Sequence, residues 1–174
     1  MNDAVSIGPA PRVLPDSAYL RQRPPRYTLS ARNVLDRPLE QVVEFFAAAE
    51  NLASITPPEM GFTILTPTPI DMGVGTLIDY RVRVSGIPLR WQTRIEVWEP
   101  GERFVDSQLR GPYACWWHEH RFEPDANSTV MFDTVHYAPP LGPLGVVAQH
   151  LLIARQLRHI FAYRGRVIAH RFCG

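Results

Sequence analysis

Residues 113–122 read YACWWHEHRF, and within them His118 and His120 stand two positions apart. Side chains alternate across a β-strand, so a strand here puts Trp116, His118, His120 and Phe122 on one face. Cys115, Trp117, Glu119 and Arg121 take the other. Glu119 and Arg121 belong in water, which turns the histidine face inward with Phe122 in the core.

Paired, inward-facing imidazoles suit three chemistries. The first is a metal centre, because HxH on a strand presents two nitrogen ligands together. It needs a third ligand, for which His136 and Asp133 on the following strand are candidates, on opposite faces because their spacing is odd. The second is proton transfer near neutrality, the range in which imidazole titrates. Asp133 would orient one ring in an inward series Met131, Asp133, Val135, Tyr137, and the group would promote aldol cyclisation or dehydration of a poly-β-keto chain. The third is a polar patch in a pocket wall, or a hydrogen-bonded structural network, since a buried His or Asp demands partners. The third is the reading taken forward, with no metal and no cofactor expected.

Further candidates flank the pair. Tyr80, Trp91 and Trp116 lie on apolar strand faces and suit an aromatic pocket lining. Asp106 and Gln108 share a face with Phe104, so they add polarity to the interior if Phe104 is core. Trp98 and Trp117 fall on wet faces, under an N-terminal arm or at a contact surface. Together with Tyr137, the expected ligand-binding set is Tyr80, Trp91, Gln108, Trp116, His118, His120, Asp133 and Tyr137. No CxxC, HExxH, Walker A loop, Rossmann fingerprint or nucleophile elbow occurs.

These residues are positioned by a recognisable series of elements. Residues 1–25 carry Pro9, Pro11, Pro15, Pro24 and Pro25, which exclude a helix running through them and mark a tail or arm. A first strand, 26–34, is followed by a helix with Asp36 as N-cap and Pro38 in its first turn. A short helical NLASIT ends at Pro57-Pro58. Strands are predicted near 62–65, 76–84, 89–97, 103–109, 114–123 and 129–138, with a hairpin turn at Ser85-Gly86. On the return strand Leu89, Trp91, Thr93, Ile95 and Val97 form the apolar face. A last helix runs from about Leu144 towards Phe172, with Val147, Leu151, Ala154, Leu157, Phe161 and Ile168 as its stripe. The order fits an α+β domain over 26–174, a curved antiparallel sheet of about seven strands wrapped around the long C-terminal helix. The space between them is a natural small-molecule site.

Composition narrows the function classes. The 174 residues are 45% hydrophobic and 20% charged, a globular balance. The net charge of +1 gives no electrostatic case for nucleic acid or an acidic membrane surface. All 18 basic residues are Arg, a trace of GC-rich coding rather than of function. No apolar run reaches the ~20 residues that span a bilayer. No charged segment followed by an apolar one opens the chain, and Cys115 and Cys173 make no disulfide framework, so reduced thiols in a cytoplasm are expected. Homo-oligomerisation is left open.

The element order, with ITPP at 55–58, VGTLIDYRVRVSGIPLRWQTRI at 74–95, RFVDSQLRGPYACWWHEHRFEP at 103–124 and VHYAPPLGPLG at 135–145, resembles the SRPBCC superfamily. This is the START-like, Bet v 1-like helix-grip fold, and the likeness is to its polyketide cyclase/dehydrase-like or CoxG-like subgroup, over about residues 26–170. The resemblance implies a hydrophobic pocket and a binding or transfer protein for a small apolar or amphipathic ligand. The superfamily also holds cyclases, which implies His118, His120 and Asp133 as acid and base in the alternative. Fold alone does not choose between them, and a third alternative is an interaction module whose cavity is filled and whose Arg-rich helix face or arm meets a partner.

Overall fold

The computed structural model describes residues 5–84 and 86–172; Cys173 and the Ser85 half of the expected hairpin turn lie outside them. Eight strands form one antiparallel sheet: β1 (Ser6–Pro9), β2 (Tyr27–Leu35), β3 (Thr63–Ile64), β4 (Leu77–Val84), β5 (Ile87–Glu99), β6 (Arg103–Arg110), β7 (Cys115–Asp125) and β8 (Ser128–Ala138). Their spatial order is β1-β2-β8-β7-β6-β5-β4-β3, so the β2–β8 pairing joins the first long strand to the last. Strands β4 to β8 are a meander, each pairing with its neighbour in sequence. Between β2 and β3 lie α2 (Leu39–Ala47) and the 3-10 segments Ala49–Ile55 and Pro58–Met60. Pro38 precedes the first turn of α2 without any side-chain cap, so Asp36 does not take the expected N-cap role.

The curved sheet holds the C-terminal helix in its concave face. The rod runs through α3 (Gly142–Ala148), a π-helical turn (Gln149–Ile153) and α4 (Ala154–Phe172). Leu157 and Phe161 of α4 pack with Leu29, Val82, Trp91, Trp116 and Val135. Further along, Ile168 and Phe172 pack with Leu35, Val42, Phe45, Phe46, Phe122 and Met131. Burying each such side chain contributes about 1.5–3 kcal/mol, which seats the helix at both ends. No helix of the described residues is long and apolar enough to cross a membrane.

Three departures from the sequence reading have local causes. The predicted stripe fails at its start: Val147 and Leu151 are 56% and 68% exposed, while Gln149 is buried. The π turn spaces its hydrogen bonds one residue wider than an α-helix, which rotates the face of α3 out of line with that of α4. On β5 the apolar face changes sides. Ile95 pairs with Asp106 and Val97 with Val105, so β5 advances two residues for one on β6. That bulge sends Val97 to the outer face and brings Trp98 inward against Phe104, 5.7 Å between ring centroids.

The third departure is the N-terminal segment, which supplies the eighth strand through β1 and a short helix, α1 (Ala18–Gln22), between Pro15 and Pro24. Ser17 caps α1, accepting from the Leu20 amide at 3.4 Å. Tyr19 and Leu20 are buried against Val105, Cys115, Trp117 and Ala138 on the sheet's outer face. The prolines mark this segment as a tail or arm; Tyr19 and Leu20 of α1 pack it over Trp117. The β6–β7 ladder ends at Ser107 and Trp117. Beyond it the Tyr19 hydroxyl donates to the Gln108 carbonyl at 3.0 Å and accepts from the Trp116 amide at 3.0 Å, satisfying both groups where the strands part.

Candidate functional site

A cavity of about 180 Å³ lies between α4, the 3-10 segment Ala49–Ile55 and the inner faces of β4 to β7. Its apolar wall is set by alternation: Ile78, Tyr80, Val82 and Val84 from β4, Trp91 from β5, Trp116 from β7. The aromatic side chains brace one another. Tyr80 stacks on Trp91 at 5.8 Å between centroids, and Trp91 meets Trp116 edge-on at 5.3 Å. Burial raises the Tyr80 phenol well above its ordinary range, with the Asp106 carboxylate adding to the effect, so it stays a neutral hydroxyl.

A five-residue polar cluster from four elements borders the cavity: Asp106 on β6, His118 and His120 on β7 and Arg164 on α4 line it, and Asp133 on β8 lies behind them. Register makes it. Asp106 pairs with His118 and His120 pairs with Asp133, so two adjacent inward rows across β6, β7 and β8 supply the four side chains from the sheet. His118 and His120 are 5% and 4% exposed and their rings lie 3.8 Å apart. Asp133, 1% exposed, stands behind them. Its Oδ1 is 3.0 Å from His118 Nε2, 2.9 Å from His120 Nδ1 and 3.4 Å from an Arg164 amino nitrogen. Asp106 lies on the other side, its Oδ2 3.6 Å from His118 Nδ1 and 3.5 Å from His120 Nε2.

The electrostatics follow from burial and these contacts. Burial, reinforced by the neighbouring His120, pushes His118 down to about 4 against the pull of Asp133 and Asp106, so it is neutral at pH 7. Burial works the other way on Asp133, but Arg164 and the hydrogen bonds from both histidines outweigh it and hold the carboxyl well below the usual range. The site is thus an ionised carboxylate screened from the cavity by two imidazoles and balanced by one guanidinium. The Arg164 amino nitrogen also lies 3.1 Å from His120 Nδ1.

Of the eight residues expected to meet a ligand, Tyr80, Trp91, Trp116, His118 and His120 line the cavity. Three are not among its lining residues. Asp133 is sealed behind the histidines. Tyr137 packs in the core with its hydroxyl accepting from Gln149 Nε2 at 2.6 Å. Gln108 folds back on the β6–β7 loop, donating to the Tyr113 carbonyl at 2.7 Å and accepting from its amide at 3.3 Å. Its amide fills the space that Gly111 leaves: a Cβ there would stand 2.4 Å from Gln108 Oε1. Neither expected third metal ligand joins the histidine pair at the cavity. His136 is on the outer face, stacked on Trp117 at 5.4 Å and bonded through Nδ1 to the Thr28 hydroxyl at 2.8 Å. Asp106 does join it; the ligand atoms of Asp106, His118 and His120 lie within 4.8 Å of one another.

Arg164 was missed from the sequence. Its signal was a charge at the stripe position between Phe161 and Ile168, where a helix facing a core has no reason to carry one unless a partner waits.

No protein-family model matches the chain. No curated protein matches it in sequence. Solved structures do match in shape. TTHA0849 from Thermus thermophilus superposes with a TM-score of 0.63 at 16% identity, over 84% of this chain and 97% of that one. The Zhui aromatase/cyclase from Streptomyces sp. R1128 gives 0.61 at 18% identity, over 82% and 93%. Ara h 8.0201 gives 0.52 at 13% identity, over 82% and 97%. Likeness at 13–18% identity speaks for architecture alone, and with the sheet order and the seated terminal helix it gives one conclusion: this chain has the Bet v 1-like helix-grip fold.

Proposed function

We propose that the protein binds or transfers a small apolar or amphipathic ligand, held between the sheet and α4 with its polar group against His118 and His120. The observation that carries this reading is the cavity itself: about 180 Å³, walled largely by aromatic and aliphatic side chains, with His118, His120, Asp106 and Arg164 among its polar lining. Apolar cavities of about 150 Å³ take up a single aromatic ring, so the ligand is of ring-system size rather than a long chain. Among the described residues Trp91 Nε1 is buried with no hydrogen-bond partner, and a ligand oxygen would satisfy it. Affinity would come from apolar burial and orientation from the imidazoles. Cys115, a buried free thiol, accords with a reducing cytoplasm.

The enzymatic alternative keeps the two imidazoles at the cavity but loses Asp133 as a group that could reach substrate. His118, pushed down to about 4, is also a weak base for abstracting a proton at pH 7. The test is native mass spectrometry of the purified protein, followed by titration with a naphthalene-sized fluorescent probe. A co-purified apolar compound, or saturable probe binding that Ile160→Trp abolishes by filling the cavity, is expected. Ligand-free protein that also fails to bind the probe would reject the reading.

A further inference from the structure

We infer that Asp106, His118 and His120 form a binding site for one tetrahedral divalent cation of the zinc class, with its fourth position open to the cavity. The inference goes beyond the apolar-ligand reading and does not depend on it.

Three observations converge. The first is spacing. Asp106 Oδ2 lies 3.6 Å from His118 Nδ1 and 3.5 Å from His120 Nε2. Both exceed the usual hydrogen-bond length of about 2.7–3.2 Å. A zinc ion with bonds of about 2.0–2.1 Å sets its tetrahedral ligands about 3.3–3.4 Å apart, close to both values. Octahedral ligands at such bond lengths would stand only about 2.9–3.0 Å apart, so the two Asp106 separations lie nearer the tetrahedral value, with all three ligand atoms within 4.8 Å of one another.

The second is the disposition of protons. Asp133 Oδ1 is hydrogen-bonded to His118 Nε2 at 3.0 Å and lies 2.9 Å from His120 Nδ1. With those nitrogens protonated, the remaining two, His118 Nδ1 and His120 Nε2, present lone pairs, and both are the ones beside Asp106. A buried carboxylate that takes the outer N–H of each histidine is the support that metal-bound imidazoles characteristically have. This tautomer leaves the Arg164 amino group, 3.1 Å from His120 Nδ1, to pair with Asp133 instead, at 3.4 Å. The third is charge and access. Two carboxylates face one guanidinium, and Asp106, the one farther from Arg164, stands beside both imidazoles. All three ligand residues line the cavity, where water or a ligand's oxygen can complete the shell. The sequence, without HExxH or another metal motif, raised no expectation of a metal and offered His136 or Asp133 as third ligand; it is Asp106 that stands beside the pair.

The test uses the full chain, stripped with a chelator and titrated with Zn²⁺ against a chromophoric competitor; Co²⁺ in place of zinc reports geometry by its visible spectrum. One Zn²⁺ per chain and an intense tetrahedral Co²⁺ band are expected. Asp106→Asn and His118→Gln should each weaken zinc binding at least about 100-fold while the far-ultraviolet circular dichroism is kept. Asp133→Asn should weaken it about 10–100-fold, as loss of a supporting carboxylate does. Cys173→Ser should leave it unchanged. Absence of stoichiometric binding, binding that survives Asp106→Asn, or binding lost in Cys173→Ser would overturn the inference. The apolar probe, run on the same zinc-free protein, separates the two proposals: probe binding without zinc binding rejects the metal site alone, and zinc binding without probe binding rejects the apolar-ligand reading alone.

Discussion

Asp133→Asn is the sharpest test of the electrostatic account, because it removes one charge and almost no volume. The carboxylate is 1% exposed and receives His118, His120 and Arg164 at 3.0, 2.9 and 3.4 Å. At an effective dielectric of about 20, unit charges 3.4 Å apart attract by about 5 kcal/mol. Asparagine keeps one acceptor oxygen but abandons the Arg164 guanidinium, itself only 6% exposed, to a buried position without that counter-charge. Deleting one member of a buried ion pair typically costs about 3–5 kcal/mol, and that is the loss expected. For a chain of this size it lowers Tm by roughly 6–20 °C.

The assay is urea unfolding at pH 7 followed by tryptophan fluorescence, with calorimetry for Tm. Removing the orphaned charge as well should restore part of the loss. Arg164 already lies over the Phe46 ring, 5.4 Å from its centroid, so methionine has apolar surface to rest on. Asp133→Asn/Arg164→Met is therefore expected to be at least about 1.5 kcal/mol more stable than Asp133→Asn alone, since replacing a buried pair by apolar groups costs little. A single-mutant loss under about 1 kcal/mol, or a double mutant as unstable as the two singles added together, would refute the claim that these charges depend on each other.

Two further outcomes probe the outer face. Tyr19→Phe strips the hydroxyl that joins the Gln108 carbonyl to the Trp116 amide, and should cost about 1–3 kcal/mol in urea unfolding while speeding hydrogen exchange at Trp116; a change under about 0.5 kcal/mol would mean water replaces it. Burial pushes the Cys115 thiol up to about 12, so in a Cys173→Ser background an aromatic disulfide reagent at pH 8 should label it only after urea is added. Rapid labelling of the folded protein would show that α1 does not cover the thiol.

What the sequence revealed, and what it hid, divides along a physical line. Alternation and helical periodicity are local, and they located the meander, the long terminal helix and the inward face of His118 and His120, because each depends only on residues a few positions apart. The bulge after Ile95 and the π turn at Gln149–Ile153 are also local, but they break a period, so a reading that extends the period past them puts Val97, Trp98, Val147 and Leu151 on the wrong sides. The polar cluster is hidden for a different reason. Its members span residues 106–164 and meet only because β6, β7 and β8 align in register beneath α4. Pairing is what distinguishes Asp106, beside the imidazoles on the cavity side, from Asp133, which holds them from behind, and nothing in the residues next to either aspartate carries that difference. A stripe position occupied by arginine was the one signal within reach. In a helix otherwise buried through Leu157, Phe161 and Ile168, a guanidinium at 164 requires a carboxylate opposite, and Asp133 is the nearly fully buried acid that answers it.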